Sequence, residues 1–160
     1  RFDNLEYAIS ELKKNKIQII KKSSFYETPS YPDMTKPKFI NIVIEVKTNF
    51  DPPKLASTIL LVEKYLQRKR DKKNDPRTCD IDIIDFNNKT FNFKYEDYNF
   101  FVPHKQLCYR NFVLYPLREI SPRWKHPISK ENISDLIIKL KDDDKKSILK
   151  VDKYWYKQLC

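Results

Sequence analysis

Glycine is absent from this chain of 160 residues, where an average composition would supply roughly ten. No Gly-rich phosphate-cradling loop can therefore lie within these residues. Cysteine is also scarce. Cys79, Cys108 and Cys160 are odd in number and lack metal-ligand spacing, so they read as reduced thiols, not a disulfide framework or a metal centre. No apolar run approaches the roughly 20 residues that span a bilayer, and no signal peptide is visible. A cytoplasmic protein is expected. The chain opens on Arg1 instead of Met, and a helical pattern begins at once, so it reads as trimmed at its N-terminus.

What is present suffices for a folded core. Apolar residues make up 40% and aromatics 14%, which excludes wholesale disorder. The length fits one domain, expected over 1–146 with a tail over 147–160 that carries Tyr154, Trp155 and Tyr156. Net charge is +10, most of it Lys spread along the whole chain, which reads as a solvated surface more than a polyanion-binding face. Arg is used sparingly, and four of the seven (Arg68, Arg70, Arg77 and Arg110) fall between 68 and 110. Forked guanidinium groups gathered in one region favour phosphate handling.

Those arginines surround the most informative stretch, Asp75-Pro76-Arg77-Thr78-Cys79-Asp80-Ile81-Asp82-Ile83-Ile84. Its alternation predicts a strand over 78–86, with Asp80 and Asp82 on one face and Ile81 and Ile83 on the other. Carboxylates two residues apart on a strand stand roughly 7 Å apart at the backbone. From there they can share two hard cations about 4 Å apart, the arrangement that serves phosphoryl transfer. An ordinary solvated strand face would show the same pair, so the surrounding residues must decide.

Phe2, Leu5, Ala8, Ile9 and Leu12 recur at helical spacing. Strands are expected over 16–26 and 39–47, joined by a proline-rich loop over 28–38 whose length suggests binding. Asp51 is placed to cap a helix with Pro52 and Pro53 in its first turn and Leu55, Ile59, Val62 and Leu66 as its buried stripe. After the acidic strand, Asn87-Asn88-Lys89 predicts a turn, with residues 90–93 pairing back. A short helix near 110–120, bent or ended by Pro116, and a helix over about 132–141 follow, then a charged break over 141–146. The order is helix, strand, strand, helix, strand, helices. One strand ahead of Arg1 would complete an α+β, ferredoxin-like (split βαβ) antiparallel sheet flanked by helices, so the first strand is expected to be missing. In Phe39-Ile40-Asn41, alternation sets an aromatic ring and a carboxamide on one face, equipment suited to a flat, hydrogen-bonding heterocycle.

Four segments together resemble the 6-hydroxymethyl-7,8-dihydropterin pyrophosphokinases of folate biosynthesis: Ser24-Phe25-Tyr26-Glu27-Thr28-Pro29, Phe39-Ile40-Asn41, Pro76-Arg77-Thr78-Cys79-Asp80-Ile81-Asp82, and Val102-Pro103-His104 through Arg110 and Phe112 to Pro116-Leu117. The resemblance runs from Arg1 to about residue 140. It implies transfer of the terminal diphosphate of ATP to the pterin hydroxymethyl group, releasing AMP. By that resemblance Asp80 and Asp82 hold two Mg²⁺ ions and, with Arg68 and Arg77, form the catalytic set. Glu63, Arg70, Arg77, Ile83, His104 and Arg110 bind ATP. Thr28, Pro29, Tyr31, Phe39, Asn41 and Phe112 bind the pterin. The family's opening strand and Gly-Ser-Asn turn are expected just before Arg1, and Gln67 and Asp75 stand where glycine is usual.

The resemblance also implies a monomer acting on small molecules, with neither membrane nor nucleic acid as partner. Two alternatives are a basic α+β module that binds RNA through sheet aromatics and an inactive relative. Paired Asp residues on a strand face would repel a phosphate backbone without metal, and the Gly-aromatic strand motif of such RNA modules is absent.

Overall fold

Leu12, Ala8 and Phe2 are buried along one face of the first helix, α1 (Phe2–Lys14), as their spacing predicts. Lys13 and Lys14 in its last turn complement the helix dipole. The structure, a computed structural model, describes residues 1–30, 33–68 and 79–154, the side chains of residues 67 and 68 excepted. Two units divide the chain, Arg1–Ile19 with Val46–Lys105 and Ile20–Glu45 with Gln106–Cys160.

The first unit is built on α1 and α2 (Pro52–Arg68), which contact each other. Asp51 caps α2 as expected, its Oδ1 accepting the Lys54 N–H at 2.9 Å. Leu55, Ile59, Val62 and Leu66 are all buried. Beyond residue 79 the chain forms the hairpin β5 (Phe91–Tyr95) and β6 (Tyr98–Val102), with Phe93 stacked on its cross-strand partner Phe100 at 5.2 Å.

That hairpin differs from the expectation that 90–93 would pair back on the acidic strand. Only Phe86 and Lys89 bridge across the Asn87-Asn88 turn, and the ladder forms with the residues that follow. Both asparagines take positive φ, 54° and 56°, the backbone of a two-residue hairpin turn in which asparagine substitutes best for glycine. Lys16, Glu96 and Lys130 also have positive φ. With no glycine in the chain, these left-handed positions fall to residues that pay roughly 1–2 kcal/mol for them.

In the second unit, β2 (Phe25–Thr28) is the central strand. It pairs antiparallel with β3 (Phe39–Asn41) on one side and with β7 (Leu149–Val151) on the other. The C-terminal segment thus supplies a sheet strand. Two further strands, β1 (Gln18–Lys22) and β4 (Ile44–Lys47), pair with each other, and the unit boundary passes through both. The long strands expected over 16–26 and 39–47 are therefore each broken, at Ser23-Ser24 and at Ile42-Val43.

Helix α3 (Asn111–Ile120) buries Val113, Leu114 and Leu117 and contacts β2 and α4 (Ile133–Ile138). Pro116 lies inside α3 and does not end it. It is fully buried, and its packing outweighs the one backbone hydrogen bond its ring removes. Asn132 caps α4 through the Asp135 N–H. The expected charged break is a short helix, α5 (Asp142–Lys146), because three Asp open it and two Lys close it, each sign at the favourable end. The fold is α+β, with antiparallel ladders and flanking helices.

Candidate active site

In the first unit, Asp80 and Asp82 are exposed while Ile81 and Ile83 are half-buried, which is the predicted alternation. The predicted strand is not formed, however. Among the described residues, 79–85 lie in no ladder, because alternation specifies faces but not a hydrogen-bonding partner. A helix carboxylate supplies one instead: Glu63 Oε1 on α2 accepts the Ile81 N–H at 2.6 Å. Burial pushes the Cys79 thiol up to about 12, helped by the negative charges of Glu63 and Asp80. The Cys79 thiol is thus held protonated, the form that is a poor nucleophile.

Two carboxylates offer hard oxygen donors that suit Mg²⁺, which commonly takes one or two from protein and the rest from phosphate and water. Among the described residues no group of three or more His, Cys, Asp or Glu gathers that could hold a metal ion. His104, half-buried, follows β6 through the cis Val102–Pro103 bond. Next to it, Lys105 Nζ lies 3.5 Å from the Phe101 ring centroid.

In the second unit, the expected heterocycle-binding residues meet at the end of the β2–β3 ladder. Thr28 is register partner to Phe39, and Tyr26 to Asn41. The Asn41 amide donates to Thr28 Oγ1 at 3.1 Å and to the Tyr26 carbonyl at 3.4 Å, which orients it and leaves its carbonyl oxygen available as an acceptor. Phe39 is 48% exposed, a large apolar residue at the loop mouth. Pro29 is half-buried in the strand exit. Lys38 and Glu27 close the base of the proline-rich loop with a 2.7 Å ion pair.

Arg110 is the N-cap of α3, and its guanidinium sits 5.4 Å from the Phe112 ring centroid and donates to Gln106 Oε1 at 2.9 Å. The start of α3 is pinned by buried Asn111, whose amide donates to the Asp144 carbonyl and Ser147 Oγ. Tyr31, Arg70, Arg77 and the Arg68 side chain lie outside the described residues.

One network has no counterpart in the sequence reading. Glu119 on α3 accepts from the Ser24 N–H and hydroxyl at 2.9 and 2.7 Å and from the Tyr26 hydroxyl at 2.7 Å. Burial raises the Glu119 carboxyl, but the bonds from Tyr26 and Ser24 together with the Lys150 charge hold it below the usual range. Tyr26 moves the opposite way, pushed up to about 12 by burial first and then by Glu119. Partners more than ninety residues apart leave no local signal in a sequence.

Known proteins are similar to this chain. The family model of 7,8-dihydro-6-hydroxymethylpterin-pyrophosphokinase matches residues 1–122. A protein of Synechocystis sp. named 2-amino-4-hydroxy-6-hydroxymethyldihydropteridine pyrophosphokinase is 36% identical over 136 residues, covering 84% of this chain and 67% of that one. The protein of the same name from Aquifex aeolicus is 33% identical, covering 83% of this chain and 82% of its own length. The folic acid synthesis protein fol1 of Pneumocystis carinii is 32% identical over 89% of this chain, which spans 19% of that longer protein. With its motifs, its alternating acidic segment and a family match over more than half its length, the chain belongs to the 7,8-dihydro-6-hydroxymethylpterin-pyrophosphokinase family.

Proposed function

We propose that this chain transfers the terminal diphosphate of ATP to the hydroxymethyl group of 6-hydroxymethyl-7,8-dihydropterin, releasing AMP, as a step of folate biosynthesis. The observation that carries the reading is the family match over residues 1–122, which takes in the Asp80-Ile81-Asp82 segment and the Phe39-Ile40-Asn41 strand. The RNA-binding and inactive-relative alternatives have no comparable support.

Asp80 and Asp82 are proposed to hold two Mg²⁺ ions. When bound, these ions would neutralise phosphate charge and draw the reacting oxygens together. Arg77, Arg110 and His104 contact the triphosphate, Arg68 and Arg70 add positive charge to it, and Ile83 and Glu63 complete the nucleotide side. Phe39 and Phe112 cover the pterin faces while Asn41, Thr28, Pro29 and Tyr31 read its edge. Such a transfer needs mainly positioning and charge neutralisation, so no protein general base is required. The protein is proposed to act as a cytoplasmic monomer, with no nucleic-acid or membrane partner. Among the described residues no helix is long and apolar enough to cross a membrane. The sheet is proposed to follow the split βαβ order.

The test is AMP release from ATP and Mg²⁺ with and without 6-hydroxymethyl-7,8-dihydropterin. AMP that depends on the pterin supports the assignment. Pterin-independent hydrolysis, or none under conditions where the protein is folded, sinks it.

A further inference from the structure

The Glu63 carboxylate touches the backbone of the residue between the two aspartates. Its Oε1 accepts the Ile81 N–H at 2.6 Å, a short bond with an ionisable acceptor. Segment 79–85 lies in no ladder among the described residues. Within this segment the Ile81 amide therefore bonds to a helix side chain. Helix α2 gives it a firm base, because Ile59, Val62 and Leu66 of that helix are buried while Glu63 itself is half-buried.

Electrostatics make the arrangement unfavourable unless something is gained. Glu63 adds a negative charge beside a segment that already carries Asp80 and Asp82, and the thiol of the preceding Cys79 feels both Glu63 and Asp80. A neutral Gln would satisfy the amide with less repulsion. Tethering at Ile81, with both flanking Asp side chains left exposed, fixes the backbone from which the two carboxylates project.

We infer that Glu63 is a positioning residue, which holds the Asp80 and Asp82 carboxylates in register for their divalent cations by clamping the Ile81 amide to α2. The inference rests on the proposed metal role of the two aspartates and departs from a direct role of Glu63 on ATP. Supporting groups around metal-bound carboxylates typically change affinity by about 10-fold to 100-fold when removed.

The experiment compares the whole chain with Glu63→Ala, Glu63→Gln, Asp80→Asn and Asp82→Asn. Two readouts are taken. Hydrogen exchange at the Ile81 amide is followed in the metal-free protein, and Mn²⁺ affinity is measured by electron paramagnetic resonance in the presence of α,β-methylene-ATP, whose bridging carbon blocks the transfer. Glu63→Ala is expected to lose Ile81 protection and to bind Mn²⁺ about 10-fold to 100-fold more weakly. Glu63→Gln is expected to recover the protection and most of the affinity. Unchanged Ile81 protection in Glu63→Ala overturns the clamp. A Gln variant as damaged in Mn²⁺ binding as the Ala variant also overturns it, by pointing to direct ligation or to charge. Full Mn²⁺ affinity in both Asp→Asn variants overturns it from below, since no metal-holding pair would exist to be positioned.

Discussion

The hydroxyl of Ser23 stands in for a backbone carbonyl opposite Val43. Ser23 N–H donates to the Val43 carbonyl at 2.9 Å, but Val43 N–H returns its bond to Ser23 Oγ at 3.0 Å. The register that pairs Tyr26 with Asn41 would set Ser24 opposite Val43, so Ser23 and Ser24 together face one residue. This is a bulge, and it breaks each predicted long strand into two pieces. Beyond it, β2 and β3 carry Thr28, Phe39 and Asn41 to the end of their ladder.

Ser23 is 2% exposed, so Ser23→Ala leaves the Val43 N–H buried without its acceptor. The expected cost is about 1–3 kcal/mol. Urea denaturation followed by circular dichroism measures it, with faster exchange at the Val43 amide as the local sign. A midpoint equal to that of the unsubstituted chain would mean that water or a shifted backbone replaces the hydroxyl.

Asp80→Asn and Asp82→Asn each remove one exposed carboxylate and no packing. Pterin-dependent AMP release is expected to fall by roughly 100-fold or more in each, with the melting temperature nearly unmoved, as for exposed positions generally. Chelation of divalent cations should silence the unsubstituted chain as well. Turnover at the original rate in either variant would remove that aspartate from the metal role.

Asn41→Ala is expected to raise KM for the dihydropterin by about 10-fold to 100-fold, the value of one or two lost hydrogen bonds to a polar ring edge. KM for ATP should change far less. Steady-state kinetics with each substrate varied in turn separates the two, and an equal rise in both would point to collapse of the Thr28–Asn41 contact and not to lost pterin recognition.

Stability should depend on pH through Glu119 and Tyr26 in opposite directions. The folded-state pKa of Glu119 is depressed, so its contribution is complete above the ordinary carboxylate value of about 4.3 and is lost as pH falls through the depressed one. Tyr26 is raised to about 12, so its contribution is complete below the ordinary phenol value of about 10 and is lost as pH rises through the folded value. Glu119→Gln is expected to flatten the acid side of the profile and to ease the alkaline loss. Urea midpoints across the pH range test this, and profiles that stay parallel would show that the network carries no proton linkage.

Helix α2 was fully legible in the sequence. Its Asp51 cap, its prolines in the first turn and its buried stripe are local features that no distant residue needed to decide. The turn at Asn87-Asn88, a helix starting near residue 132 and the shared face of Asp80 and Asp82 were legible for the same reason. Segment 79–85 was half legible: which side chains face solvent follows from period-two alternation, but what bonds the Ile81 amide does not. That Pro116 does not end α3 was not legible, because a local rule about helix breaking cannot weigh the burial that keeps it in place. Helix α5 was missed because five charged residues read as solvated chain until their order is compared with the helix dipole.

By itself the sequence determined the family, the alternation that exposes Asp80 and Asp82, and the helices with strong caps and stripes. All of these depend on residue identity and on spacings of a few positions. Tertiary structure alone decided that the strands break at Ser23 and Val43, that β7 pairs with β2, that Glu119 gathers Ser24 and Tyr26, and that Glu63 holds the amide between Asp80 and Asp82. Each of those is a pairing between residues some 18 to more than 100 positions apart. A hydrogen-bonding group accepts any partner of suitable geometry, so only the folded backbone selects which one it meets.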